Sequence, residues 1–428
     1  MRNMRQQILF SLVLTLVVFS GQLFAQQKFV AFGDFLSSTA VAGSASYVGQ
    51  PGAQVQDASA FQQMQQHILT LYNGVQVSHS FLLGSQYFDC IPIQQQPSVR
   101  LLGITSIASP PPQPALTDPG DYASAMIGQD EQYDAFGNST TCEDNTIPMR
   151  RVTLDEVTRF ATLLDFFSKS PDGDAVQAAT HKYAYTRQAV DNLGGNSALN
   201  VWKPNVDTSK GQIFSLSQQW FSGGTGAGTQ TVEGGWQNYP AKYGDQNSRL
   251  FIFWTADNYG NLKCYNLECP AFVQINKSWP IGGKFSNYST YGGAQYYFTM
   301  QWELFQGNWW LGLGNDTKRQ WVGYYPGTIF RGGQMSRNAQ SITFGGETTG
   351  DGNWGPMGSG DWPAKGYKYA AYQRQIYYID TNSASQWANL TAYQPSPSCY
   401  KVDGPKQAAT AIWGIYFFFG GPGGDNCE

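Results

Sequence analysis

Two glutamates in the second half of the chain lie in β-branched, strand-like runs beside paired glycines. Glu233 sits in Thr231-Val232-Glu233-Gly234-Gly235-Trp236, and Glu347 in Thr343-Phe344-Gly345-Gly346-Glu347-Thr348-Thr349. Glycine in a strand lets another backbone or a substrate approach closely. A lone strand glutamate is ordinarily a solvated charge. Two brought together behave differently: at about 4 Å and an effective dielectric of 20, like charges repel by roughly 4 kcal/mol, or about three pKa units. One then holds a proton while the other stays ionised at acidic pH. The ionised carboxylate can deprotonate water, and the protonated one can polarise a carbonyl and later protonate a leaving amine. That is acid peptidase chemistry. Paired carboxylates also serve glycoside hydrolysis, so the pair alone leaves the substrate open.

Other chemistries find little support. There is no Gly-x-Ser-x-Gly elbow and no His-Glu-x-x-His, and from residue 176 onward the only histidine is His181. A Ser-His-Asp triad would rest on that one residue, without a motif around it. Gln218 and Gln219 are candidates to hydrogen-bond a substrate backbone or, equally, to sit on a strand surface. Among the aromatics, Trp236 and Trp254 lie nearest the glutamate motifs and are the first candidates to line a cleft. Tyr291, Trp309, Trp310 and Tyr325 follow, and each suits core packing as well.

These side chains need strands to position them. From about residue 181, short aromatic and β-branched runs alternate with Gly, Asn, Asp or Pro clusters. Examples are 198–202, 212–216, 250–254, 271–275, 295–302, 309–313, 321–325, 375–379 and 412–419. Many short strands at near-regular spacing predict an all-β fold, an antiparallel two-sheet sandwich or a barrel. The first half reads differently. Residues 26 to about 66 are rich in Gln, Ala and Ser and carry little structural signal. Residues 54–71 place Val55, Phe61, Met64, Ile68 and Leu71 on one helical face. Thr153 and Glu156 form a capping box, with Val152 and Val157 as the staple, so a helix is expected from there through Phe167. Pro171-Asp172-Gly173-Asp174 ends it and reads as an exposed, cleavable connection.

The start of the chain bears on compartment. Arg2 and Arg5 precede an apolar run, Ile8 to Phe19, and a small residue, Ala25. This is the pattern of a secretory signal peptide over 1–25, the run being short for a membrane span. Export to an extracellular or periplasmic space makes six cysteines legible as three disulfides. Proximity pairs Cys264 with Cys269 and Cys399 with Cys427, leaving Cys90 with Cys142. Zinc lacks a Cys-x2-Cys and a nearby histidine, so no metal is expected.

Composition excludes further classes. Charged residues are 13% of the chain and the net charge is −4. The first value, against about 25% on average, argues against disorder and coiled coils. The second argues against a nucleic-acid partner, and nothing points to a membrane partner. Five Asn-x-Ser/Thr sequons, at Asn138, Asn276, Asn287, Asn315 and Asn389, are about what chance provides.

A longer series of residues resembles a known family. Val201-Trp202-Lys203-Pro204, Phe214 to Gln218, Val232 to Gln237, Tyr243-Gly244-Asp245, Phe253 to Asp257, Cys264 to Pro270, Gly307 to Trp310, Val322 to Pro326, Gly345-Gly346-Glu347, Met357 to Gly360 and Gly420 to Gly423 resemble neprosin, the plant-type glutamic endopeptidase. More loosely, Asp89-Cys90 with Gln96-Pro97, and Cys142 with Thr146 to Arg151, resemble that family's activation peptide; residues 28–80 depart from it. The resemblance implies a pro-domain over 26–175 acting as intramolecular inhibitor and a catalytic β-sandwich over 176–428. It implies a cofactor-free, acidic endopeptidase that cuts after proline, with peptide or protein substrates and Glu233 and Glu347 as the catalytic pair. Glu233 is taken as the base and Glu347 as the acid and oxyanion partner. The alternatives are a carbohydrate-binding or glycoside-hydrolysing sandwich and a non-catalytic binding member of the family.

Overall fold

A computed structural model describes residues 28–112, 132–169, 181–315, 318–410 and 412–428. The expected signal peptide and the 171–174 connection lie outside these residues. Ala31–Glu428 forms one compact unit. No helix among the described residues is long and apolar enough to cross a membrane.

The front part is a small α+β assembly. Its helices are α1 (Phe32–Val41), α2 (Ala58–Tyr72), α3 (Pro97–Leu101), α4 (Leu154–Val157) and α5 (Leu163–Phe167). Its strands β1 (Ser80–Leu83), β2 (Gln86–Pro92) and β3 (Thr146–Arg150) form one antiparallel sheet. Helix α2 starts where Asp57 caps Ala60 N–H at 2.8 Å, and it buries Phe61, Met64, Ile68 and Leu71, the expected face. Helix α1 falls in the stretch whose composition carried little signal. The single helix expected from Thr153 is two one-turn pieces. Thr153 does cap Glu156 N–H, but the Glu156 carboxylate is taken by Arg150 at 2.7 Å and does not fold back to close the capping box. A second box, Thr162 with Asp165, restarts the helix as α5.

The second part is the expected sandwich, built on β4 (His181–Asn192), β5 (Gly194–Asn200), β6 (Gln212–Gly223), β7 (Gln230–Asn238), β8 (Arg249–Thr255), β9 (Lys263–Tyr265), β10 (Val273–Gln274), β11 (Tyr297–Phe305), β12 (Asn308–Gly314), β13 (Arg319–Pro326), β14 (Ala339–Gly350), β15 (Ala371–Ile379), β16 (Ser385–Trp387), β17 (Thr391–Tyr393), β18 (Lys401–Gln407) and β19 (Ile415–Gly420). A short helix, α6 (Pro240–Tyr243), follows β7. One sheet runs β17-β4-β14-β6-β7-β8-β9, and the other β10-β13-β12-β11-β5-β15-β19-β18 with β16 beside β15. All pairings within both sheets are antiparallel.

Alternation along the strands decides which residues enter the core. In β7, Val232, Gly234 and Trp236 turn toward the opposite sheet. Trp236 is fully buried and its indole N–H donates to Asn200 O of β5 at 2.8 Å, while a Cβ on Gly234 would stand 3.0 Å from Met300 Sδ of β11. Glu233 and Gly235 therefore project from the other face. The three disulfides join Cys90–Cys142, Cys264–Cys269 and Cys399–Cys427.

Candidate active site

Strand register places the two glutamates on the outer face of the seven-stranded sheet. Trp220 of β6 pairs with Glu233 on one side, and Leu216 of β6 pairs with Glu347 on the other. Between these levels, Gln218 pairs with Gly235 and with Gly345. The outward residues around Gln218 thus include two glycines, which leave room for the glutamate side chains to lean toward each other. The other glycine of each pair, Gly234 and Gly346, faces inward, where space is tight: a Cβ on Gly346 would stand 2.6 Å from Met357 Sδ and from Phe419 in the core.

The carboxylates meet at one ammonium group. Lys169, just after α5, donates from Nζ to Glu233 Oε2, lies 3.4 Å from Glu347 Oε2, and donates to Gln218 Oε1 at 3.1 Å. The two carboxylate oxygens are no farther apart than those two contacts laid end to end. Lys169, Glu233 and Glu347 are all buried. Glu233 Oε1 accepts from the hydroxyls of Thr231 and Tyr259, each at 2.8 Å. Glu347 Oε2 accepts from Gln218 Nε2 at 3.2 Å, and its Oε1 lies 2.6 Å from His181 Nδ1.

The electrostatics follow. Burial pushes the Glu347 pKa up, but the Lys169 charge and the His181 hydrogen bond outweigh it and hold it below the ordinary 4.5. Burial opposes the Lys169 ammonium, and the two glutamates reverse that, raising its pKa above the usual lysine value. Burial and the Glu233 charge push the Tyr259 phenol well up, so it stays a donor.

The sequence-based substrate contacts divide. Gln218 lies between the glutamates, whereas Gln219 turns inward to Ser197 Oγ and Met300 O. Trp236 and Trp254 do not line this face. Their registers with Leu250 and Val232 put both on the inner side, and Trp254 packs near Tyr325 and Phe330. Being near a motif in sequence does not place a residue on the same side of a strand. Trp309 and Tyr325 are buried in the main core, Trp310 packs with Val99, Trp321 and Tyr324, and Tyr291 is an exposed residue whose hydroxyl accepts from Lys365. The aromatics on the glutamate face are different ones. A cleft of about 280 Å³ beside Glu233 is lined by Tyr183, Tyr185, Arg187, Trp220, Thr231 and Tyr259, among others. Tyr183 and Tyr185 lie on β4 and Trp220 on β6, so only the register of those strands against β14 and β7 places them beside the glutamates.

A second buried ion cluster joins the front part to the sandwich. Arg150 pairs with Glu156 and Glu268, each at 2.7 Å, and Lys242 pairs with Glu268 at 2.7 Å. Lys242 Nζ also donates to Phe166 O at 2.9 Å, beside the segment that delivers Lys169. Burial raises the Glu268 pKa, but Lys242 and Arg150 more than offset it and hold the carboxyl below its usual value.

Residues 211–422 match the neprosin family. The chain carries a neprosin domain. The match spans β6, β7 and β14, so it contains Gln218 and both glutamates. The matched family is the one the sequence resemblance named. Two solved structures are also similar: scytalido-glutamic peptidase with a peptide based transition state analog, at 10% identity and a TM-score of 0.31, and the same peptidase with a transition state analog inhibitor, at 9% and 0.28. Each comparison covers 57% of this chain and 98% of the other. At those scores the likeness carries no residue correspondence. Strands β4 and β5 precede the matched span, so His181 lies outside the neprosin match.

Proposed function

We propose that this protein is an exported glutamic endopeptidase, made as a zymogen, in which Glu233 and Glu347 activate water for peptide-bond hydrolysis at acidic pH. The observation that carries the reading is the convergence of both carboxylates and Gln218 on the single Lys169 ammonium. Such a cation compensates two buried carboxylates that would otherwise repel. Lys169 occupies the position a reacting group would need, so the segment 26–175 acts as inhibitor while attached. Cutting between Lys169 and His181 frees it.

In the released enzyme the two glutamates share one proton. The ionised carboxylate accepts a proton from water as the water oxygen adds to the substrate carbonyl carbon. The protonated one gives its proton to the carbonyl oxygen. On collapse the C–N bond breaks, the first glutamate protonates the nitrogen, and the second recovers its proton. The aromatic cleft lined by Tyr183, Tyr185, Trp220 and Tyr259 supports peptide substrates with flat, apolar side chains, and with the family resemblance it supports cleavage after proline. The three disulfides fit an oxidising compartment, secreted or periplasmic.

The test is incubation of the purified chain at acidic pH with a peptide mixture containing proline, with cut sites mapped by mass spectrometry. Cleavage concentrated after proline supports the whole reading. Cleavage elsewhere removes the proline preference, and no cleavage after maturation removes the peptidase.

A further inference from the structure

His181 lies outside the matched domain and has no part in the chemistry just described, yet its Nδ1 stands 2.6 Å from Glu347 Oε1. Nothing about this contact is loose. The His181 side chain is 12% exposed. Thr349 Oγ1 lies 3.1 Å from the same nitrogen, and the ring stacks on Tyr183 and meets Phe214 edge-on. His181 is also the first residue of β4 and pairs with Thr349 in the β4–β14 ladder, so its backbone is registered against the strand that carries Glu347. An imidazole donor held this way favours the ionised form of the carboxylate it faces.

The two glutamates have different partners. Glu347 has a nitrogen donor on each oxygen, His181 on Oε1 and Gln218 on Oε2. Glu233 has both of its hydroxyl donors, Thr231 and Tyr259, on Oε1. Its Oε2 faces Lys169, and when Lys169 leaves, that oxygen is the one able to carry a proton and donate it. We propose that His181 is a positioning residue for the glutamate pair: it holds Glu347 as the ionised, water-activating carboxylate and leaves Glu233 to carry the shared proton. This reverses the assignment drawn from the sequence, and it rests on the peptidase reading above.

The charged and titratable groups around this contact are few. Lys169 and Glu233 face Glu347 across the pair, and Tyr259 and Tyr265 feel its charge. Tyr183 flanks His181 on its own strand. Before maturation Lys169, His181 and Gln218 all hold Glu347; afterwards His181 and Gln218 do. The position of the maturation cut then matters, because a cut within 170–180 keeps His181 and trimming past it does not.

The test uses His181→Gln and His181→Ala made as full chains, so that the pro-region is present during folding, and then matured in acid. The profile of kcat/KM against pH is measured for each. The acid limb is expected to move up by about one pH unit, a roughly tenfold loss of kcat/KM on the acid side. The plateau at higher pH should stay within about twofold and KM should hardly change. His181→Gln, which keeps a hydrogen-bond donor, should shift less than His181→Ala. An unmoved limb overturns the proposal, and so does a uniform loss at every pH, which would mark a merely structural role. Carboxyl-carbon NMR titration of Glu347 in the matured wild type and His181→Gln gives a readout without substrate. A raised Glu347 pKa in the variant supports the contact even if the wild type cleaves no peptide, in which case the peptidase reading fails and not the His181 effect. An unchanged Glu347 pKa overturns the proposal. Should the variants fail to fold, a mature form trimmed to begin at Lys182 after folding of the wild-type chain is measured in the same way, with the same limb shift required.

Discussion

Lys169 forms a buried ion pair with Glu233 across 64 residues of sequence, with the ammonium on Glu233 Oε2 and both side chains almost without solvent. Removing one partner of such a pair leaves an uncompensated buried charge and costs about 3–5 kcal/mol. Lys169→Met in an uncut chain should therefore loosen the inhibitory segment and allow measurable peptide cleavage at acidic pH, where the uncut wild type shows none. Equal silence in the variant would mean that other contacts block the site without Lys169.

Glu233→Gln and Glu347→Gln should each abolish hydrolysis while the protein still folds. An amide keeps the shape and cannot exchange a proton, so a loss of at least about 10²-fold is expected in each. Activity is compared after confirming the melting transition. Near-wild-type turnover in either variant removes that residue from the mechanism.

The pH dependence of latency has a definite sign. Glu347 and Glu268 both titrate below the ordinary carboxylate value of 4.5 in the folded chain. A lowered folded-state value means the contribution to stability is present above the ordinary value and is lost as pH falls through the lowered one. A chain nicked within 170–180 should stay assembled at pH 6 and release its front fragment only below about pH 4.5, as read by size-exclusion chromatography. Release on raising the pH would contradict the assignment.

Arg150 bridges Glu156 of the front part and Glu268 of the sandwich. Arg150→Leu should destabilise the intact chain by about 3–5 kcal/mol, because the buried Glu156 loses its paired cation and Glu268 keeps only Lys242. Denaturant unfolding of the uncut chain measures this. A change within about 0.5 kcal/mol, the roughly neutral range of surface substitutions, would show that Lys242 alone suffices.

Trp236 and Trp220 lie on neighbouring strands and should respond oppositely. Trp236→Ala empties a fully buried site and should cost about 3–5 kcal/mol of stability. Trp220 is partly exposed on the glutamate face and lines the cleft. Trp220→Ala should leave stability little changed and raise KM several-fold. If KM instead followed Trp236, the cleft would have been placed on the wrong face.

Local pattern made much of this protein readable in advance. Alternating β-branched and aromatic runs predicted the sandwich strands, because burial on one face of a sheet imposes its period on the sequence. Short spacings suggested the Cys264–Cys269 and Cys399–Cys427 pairs and left Cys90 for Cys142. The glycine pairs marked Glu233 and Glu347, since only residues without a side chain tolerate so close an approach as that of Met300 to Gly234 or of Met357 and Phe419 to Gly346. Two things needed the tertiary structure. One was the face each residue takes: it depends on register between strands, which put Trp236 inside and Trp220 outside. The other was the company of the glutamates. Lys169 lies 178 residues from Glu347 and His181 lies 166 from it. Neither sits in a local motif, and a contact at that separation is set by how the whole sheet closes, so no pattern along the chain records it.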